Sequence, residues 1–175
     1  MTNRLAVALA LGVLATPTAA LADWVTQSYA EWQFSATFPA PPKVQTASQT
    51  DGTSGVTATT HAYIADDGRI ICLAGVSDYA RPFDAEKELL ADRDNFARNA
   101  QATVTASRRI TVTRPPETRL PALEFTATST DRLFKSIVIV DGKRTYQVVG
   151  VQRQNDAAGA ASVSRCLTGF KLTQK

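Results

Sequence analysis

RLFKSIVIVDGKRTYQVVGVQ, residues Arg132 to Gln152, is the stretch from which the rest of the chain can be read. β-branched and aromatic residues flank Asp141-Gly142, which predicts two strands joined there by a tight turn. Across that turn Leu133, Ile137, Ile139, Tyr146 and Val148 fall on one face, and Phe134, Val138, Val140, Val149 and Val151 on the other. A two-residue and a four-residue loop give the same sorting, because only a one-residue slip would exchange the faces. A hairpin that is apolar on both faces must be covered from two sides.

Working outward, Val56 to Ile64 and Arg69 to Tyr79 predict a second hairpin around Asp66-Asp67-Gly68. Its latter strand places Ile70, Cys72, Ala74 and Val76 on one face and Ile71, Leu73 and Gly75 on the other, so it too needs cover on both sides. Towards the start, Trp32, Phe34, Ala36 and Phe38 alternate with Gln33, Ser35 and Thr37, the period of a half-buried strand within Trp24 to Phe38. Pro39, Pro41 and Pro42 end it, since proline cannot donate to a ladder. Lys43 to Thr50 reads as a polar strand, and Asp51 to Gly55 as a turn or mobile loop. Val104 to Thr113 and Ala122 to Ser129 are further strands, with a proline-rich loop from Arg114 to Pro121 between them.

Two segments carry helical periodicity instead. Asp84 to Gln101 starts on an N-capping aspartate, has Glu86 and Glu88 near its positive end, and turns Ala85, Leu89, Leu90, Phe96, Ala97 and Ala100 inward. Asp94 and Arg98 are spaced to pair at i,i+4. The second helix is capped by Asn155 or Asp156 and runs to Thr168, with Gly169 at its C-terminal cap. It points Ala160, Val163, Leu167 and Phe170 at the core, and Phe170 to Leu172 closes as a short strand. The predicted fold class is α+β: an antiparallel sheet covered by helices on both faces, in one domain spanning 23–175.

The N-terminus speaks to compartment. A basic start to Arg4, an apolar run from Leu5 to Leu14 and the small-x-small Ala20-Leu21-Ala22 predict a signal peptide over 1–22, cleaved after Ala22. A run of about ten apolar residues is too short to cross a hydrocarbon core of roughly 30 Å. The mature chain is therefore expected in the periplasm or secreted, with no transmembrane span. The formal charge of +3 becomes +2 when Arg4 leaves, too weak an excess for a nucleic-acid binder. Cys72 and Cys166 are the two cysteines, and an oxidising compartment favours their pairing as a disulfide between the final helix and a central strand.

Chemistry-bearing residues are sparse. His61 is the sole histidine, and a nucleophilic site would need serine and aspartate brought beside it by the fold. Asp66-Asp67-Gly68 supplies two carboxylates where a calcium loop needs ligands at five or six fixed positions, so it reads as a turn. Arg108, Arg109 and Arg114 form the densest basic segment, with Arg119 beyond and Lys143-Arg144 as possible neighbours. They define a docking edge for an acidic partner or anionic lipid, to be weighed against scattered solvated charge that deters edge-to-edge pairing. No glycine loop for phosphate, no metal-ligand spacing and no cofactor motif occurs.

The chain resembles PsbP-like proteins, the superfamily of an extrinsic photosystem subunit and many small exported bacterial proteins. Trp32-Gln33-Phe34 running to Phe38-Pro39 and Pro42, the mid-chain helix and Leu120-Pro121-Ala122-Leu123-Glu124-Phe125 carry the likeness. Gly142-Lys143-Arg144-Thr145-Tyr146 and the closing Gly169-Phe170-Lys171-Leu172 continue it across nearly all of the mature chain. The resemblance implies an α-β-α sandwich and a noncatalytic binding or assembly role, and it transfers no catalytic residues. The expected function is an exported, noncatalytic module that binds a protein partner. Alternatives are a carrier holding a small apolar ligand between sheet and helix, and a hydrolase using His61.

Overall fold

The structure, a computed structural model, describes residues 24–50 and 56–174. The predicted signal peptide and the Asp51 to Gly55 turn lie outside the described residues. The central hairpin comprises β8 (Arg132–Asp141) and β9 (Arg144–Arg153), paired antiparallel with Asp141 opposite Arg144. The turn's central residues are thus Gly142-Lys143, one step later than the sequence suggests, and Gly142 takes φ 65°, which a residue without Cβ adopts at little cost. Its faces sort as expected, since moving the turn by one step changes each residue's cross-strand partner by two positions, which keeps it on the same face. Ile139, Tyr146 and Val148 enter one buried cluster, Val138 and Val140 another.

The same hairpin sits in the middle of a seven-stranded antiparallel sheet. The remaining strands are β3 (Lys43–Thr50), β4 (Thr57–Asp66), β5 (Ile70–Tyr79), β6 (Thr103–Arg114) and β7 (Thr118–Thr128), in the order β3-β4-β5-β9-β8-β7-β6. The β4–β5 turn is held by its own carboxylates: Asp66 Oδ1 accepts from the Gly68 amide at 2.7 Å, and Asp67 Oδ1 from the Arg69 and Ile70 amides at 2.9 Å. These two aspartates serve the turn, as aspartates commonly do. Pro121 lies inside β7, where the loop was expected to continue. It is tolerated because β7 pairs only with β6 there, its ladder to β8 beginning at Ala122.

A second sheet contains β1 (Val25–Tyr29), β2 (Phe34–Phe38) and β10 (Lys171–Leu172), in the order β1-β2-β10. Phe34, Ala36 and Phe38 are buried, as their alternation predicts, and pack with Ile70, Cys72, Ala74, Val76 and Tyr146 of the large sheet. Between β1 and β2 a short 3-10 turn, Ala30–Trp32, ends at Gln33 in the left-handed region.

Two helices complete the described chain: α1 (Ala85–Asn99) and α2 (Ala157–Thr168). The predicted α-β-α sandwich, with helices covering both faces of one sheet, is not what the chain builds. Strands dominate, and there are two sheets. One face of the large sheet is closed by the small sheet together with α2, through Phe34, Phe38, Val163 and Leu172. The opposite face is closed in part only, by α1 over β6, β7 and β8, where Leu89 meets Leu123, Phe125, Val138 and Val140. The physical reason is that doubly apolar strands specify cover on two sides without specifying what covers them. An aromatic strand supplied it here as readily as a helix would.

Local signals place both helices. The Asp84 carboxylate accepts from the Glu86 and Lys87 amides, and the Asp156 carboxylate from the Gly159 amide. Leu89 and Ala97 are buried as predicted, but Leu90 stands 38% exposed, pointing off the edge of the stripe. Asp94 pairs with Arg93, not with Arg98, whose guanidinium donates to Asn95. α2 lies close on the sheet: a Cβ at Gly150 would fall 2.6 Å from Val163 Cγ1.

Cys72 of β5 and Cys166 of α2 are disulfide-bonded, with Cα atoms 5.9 Å apart and a sequence separation of 94. The bond fixes α2 on the sheet. Closing a loop of that length removes unfolded-state entropy worth about 4–5 kcal/mol in the chain-entropy model. Replacing both cysteines by alanine should lower unfolding free energy by that order in denaturant titrations, and the unreduced wild type should contain no alkylatable thiol. A pair of free thiols, or a loss below about 1 kcal/mol, would contradict the bond's role.

Candidate functional site

Because α1 packs chiefly over β6 to β8, its side of the sheet stays largely open over β3, β4 and β5. The outcome is a groove between the helix and the open strands. It consists of two adjoining hollows, each of about 550 Å³, that share Gln49, Ala58, Tyr79 and Asn95. Ala58, Thr60, Ser77 and Tyr79 come from facing positions of β4 and β5, and Gln147 from β9. Phe83, Lys87, Glu88, Ala91 and Asn95 line it from α1 and the segment leading into it. The floor is made of hydroxyls, amides and small side chains on the strands. The wall is the polar flank of a helix.

At the junction of floor and wall four side chains form one network. The Tyr79 hydroxyl donates to Glu88 Oε1, and the buried Thr145 hydroxyl donates to the Asp92 carboxylate. Glu88 and Asp92 are one helical turn apart, so two carboxylates share the flank. Burial beneath the helix pushes the Asp92 carboxyl up to about 7, the neighbouring Glu88 charge adds to the rise, and the Thr145 hydrogen bond offsets part of it. Burial first, then the Asp92 and Glu88 charges, likewise raise the Tyr79 phenol, which stays protonated. Each of the four groups already has a partner within the network. It shapes and charges the groove without presenting a spare nucleophile.

The residues singled out from sequence lie elsewhere, and the fold does not gather them. Arg108 and Arg109 are neighbours on β6 and point to opposite faces. Arg108 pairs with Glu124 of β7, while Arg109 pairs with Glu86 of α1 at 2.6 Å. Arg114 is 3% exposed and ion-paired with Asp141, so it contributes nothing to a surface. The three arginines are thus not a continuous basic edge. His61 stacks on Trp32 with ring centroids 4.3 Å apart, and its Nδ1 lies 3.0 Å from Thr46 Oγ1. These contacts are a surface strand's packing. Among the described residues no group of three or more histidine, cysteine, aspartate or glutamate side chains is placed to hold a metal ion, and no helix is long and apolar enough to cross a membrane.

The groove network is not legible in the sequence, because Tyr79, Asp92 and Thr145 are far apart in the chain. One signal was available: Asp92 sits between Leu89 and Phe96 on the helix, inside the stripe that faces the sheet. A carboxylate at such a position is costly unless something receives it. Comparison with protein-family models finds no match for this chain, and comparison with curated proteins finds none either. The PsbP-like resemblance rests only on the residues that suggested it.

The Asp92 carboxyl makes stability depend on pH in a definite direction. A raised folded-state pKa means that the folded protein binds more protons than the unfolded chain between about pH 4 and pH 7. Stability is therefore full below that window and falls as pH rises through it. Asp92→Asn, which cannot ionise, should gain on the wild type across the same interval, by about 1–2 kcal/mol at pH 8 after allowing for partial solvent contact. Thermal unfolding of both proteins checks this at about pH 4.5, near the low end of the window, and at about pH 8, one unit above its top. A gap that does not change with pH would refute the assignment.

Proposed function

We propose that this protein is a noncatalytic binding module of an oxidising compartment, and that the groove beside α1 is its binding surface. One observation carries the reading: α1 covers only half of its side of the sheet, leaving a long hollow lined by amides, hydroxyls, charged groups of both signs and apolar side chains such as Phe83 and Phe96. An enclosed apolar chamber would suit a lipid-like cargo. An open trough of mixed polar and apolar lining suits a segment of a protein partner, which can exchange hydrogen bonds with Gln49, Thr60, Asn95 and Gln147. The internally partnered Tyr79, Glu88, Asp92 and Thr145 support binding over catalysis, because a general acid or base must be able to reach a substrate atom. The Cys72–Cys166 bond suits a compartment in which thiols are oxidised.

The test is site-specific capture. A photo-crosslinking side chain placed at Asn95, an exposed groove position, should give a discrete adduct in extracts of the native compartment, whereas one at exposed Thr26 on β1 should not. Asn95→Trp, which fills the trough, should abolish capture from a reporter at Gln49 while leaving the melting temperature within a few degrees. Equal labelling from Asn95 and Thr26, or capture from Gln49 that survives Asn95→Trp, would reject the groove as the binding surface.

A further inference from the structure

The other side of the large sheet has a second cleft, with charged side chains at its rim, at the β8–β9 turn. A cleft of about 400 Å³ opens between Gln33, at the corner of the small sheet, and Asp141 to Arg144 of the turn. Gln33 is held there by a backbone φ of 60°, and its Oε1 is buried without a hydrogen-bond partner. Behind the turn lie further buried polar groups. Arg114 joins Asp141 through Nη2, yet its Nε is buried and unpaired. The hydroxyl of Tyr146, a fully buried ring, interacts with the Arg144 guanidinium and feels the charges of Asp141 and Arg114.

The charge balance of this corner is positive. Arg144 lies over the Trp32 ring at 5.5 Å, and its Nε donates to Asp78 at 3.0 Å. Lys143 reaches the same carboxylate at 3.8 Å with a half-exposed side chain. Asp78 is thus shared by two cations and Asp141 is engaged by a third. Three cations, Arg114, Lys143 and Arg144, face two carboxylates, Asp78 and Asp141, which leaves one positive charge in excess.

We infer that the cleft between Gln33 and the β8–β9 turn binds a small oxyanion, a phosphate or carboxylate group, with Lys143 and Arg144 as its charged contacts. Charge is one reason, since a cation would add to the excess and an oxyanion would cancel it. Donor supply is another: the Arg144 guanidinium and the Lys143 ammonium line the cleft and offer protons, and an oxyanion offers only acceptors. Pre-organisation is a third. Trp32 and Asp78 fix the Arg144 guanidinium before any ligand arrives, so little side-chain freedom is lost on binding. The Gln33 amide can join by rotating its terminal group to present Nε2 where Oε1 now stands.

Inorganic phosphate and acetate, titrated separately against chloride at matched ionic strength, test the site with the intact protein. At least one of the two should raise the melting temperature along a saturating curve and shift the amide resonances of Gly142 and Lys143. Lys143→Gln should weaken that response at least tenfold, and Arg144→Gln should remove it. Lys143 is exposed, so its variant keeps the test valid even if Arg144→Gln does not fold. A response to one anion only names the group recognised. If neither anion exceeds chloride, or if Lys143→Gln responds as the wild type does, the inference is overturned.

Discussion

Everything in this molecule follows from strands that bury both faces. β9 and β8 lie at the centre of the large sheet, with Ile139, Tyr146 and Val148 packed on one side and Val138, Val140 and Val149 inward on the other. Neighbouring β5 buries Cys72, Ala74 and Val76 on one side and leaves Ile71 and Leu73 half-buried on the other. At about 25 cal/mol per Å² of apolar surface removed from water, neither face could be left wet. The aromatic strand β2 and helix α2 answer on one side and α1 on the other. The cover is unequal, and that inequality creates the open groove. The site is a by-product of which strands α1 reaches.

Legibility in the sequence tracked the range of the signal. The caps at Asp84 and Asp156, the alternation Phe34-Ala36-Phe38 and the two faces of the Arg132 to Val151 hairpin are all encoded within a few residues, and each was readable. The small sheet was not. Val25 to Tyr29 alternates only weakly, and its pairing with β2 depends on Gln33 accepting a left-handed backbone, which no glycine announces. Likewise the two sheets share a core by contacts between positions far apart in sequence. Two-sided apolar strands showed that cover was required, and the helices were the most visible candidates for it.

The same limit governs the sites. Arg108, Arg109 and Arg114 are adjacent in sequence and were read as one edge. Strand alternation sends the first two to opposite faces, and an ion pair with Asp141 buries the third. Tyr79, Asp92 and Thr145 look unremarkable separately and converge only through the register of β5 with β9, which sets Ser77 opposite Thr145 beside Tyr79. Charge runs in a strand are a poor guide to surface because successive residues point in opposite directions. A polar residue within a helix's apolar stripe is the better clue.

The disulfide has a consequence for how the chain reaches its native state. Its two half-cystines are 94 positions apart, and α1 together with four strands is made between them. The bond therefore cannot close until Cys166 has emerged, when little of the described chain remains to be synthesised. With two cysteines there is also only one way to pair them within a molecule. Maturation thus calls for an oxidant but for no shuffling of wrong pairs. The reduced chain must hold its central sheet together long enough for the last helix to bring its sulfur home.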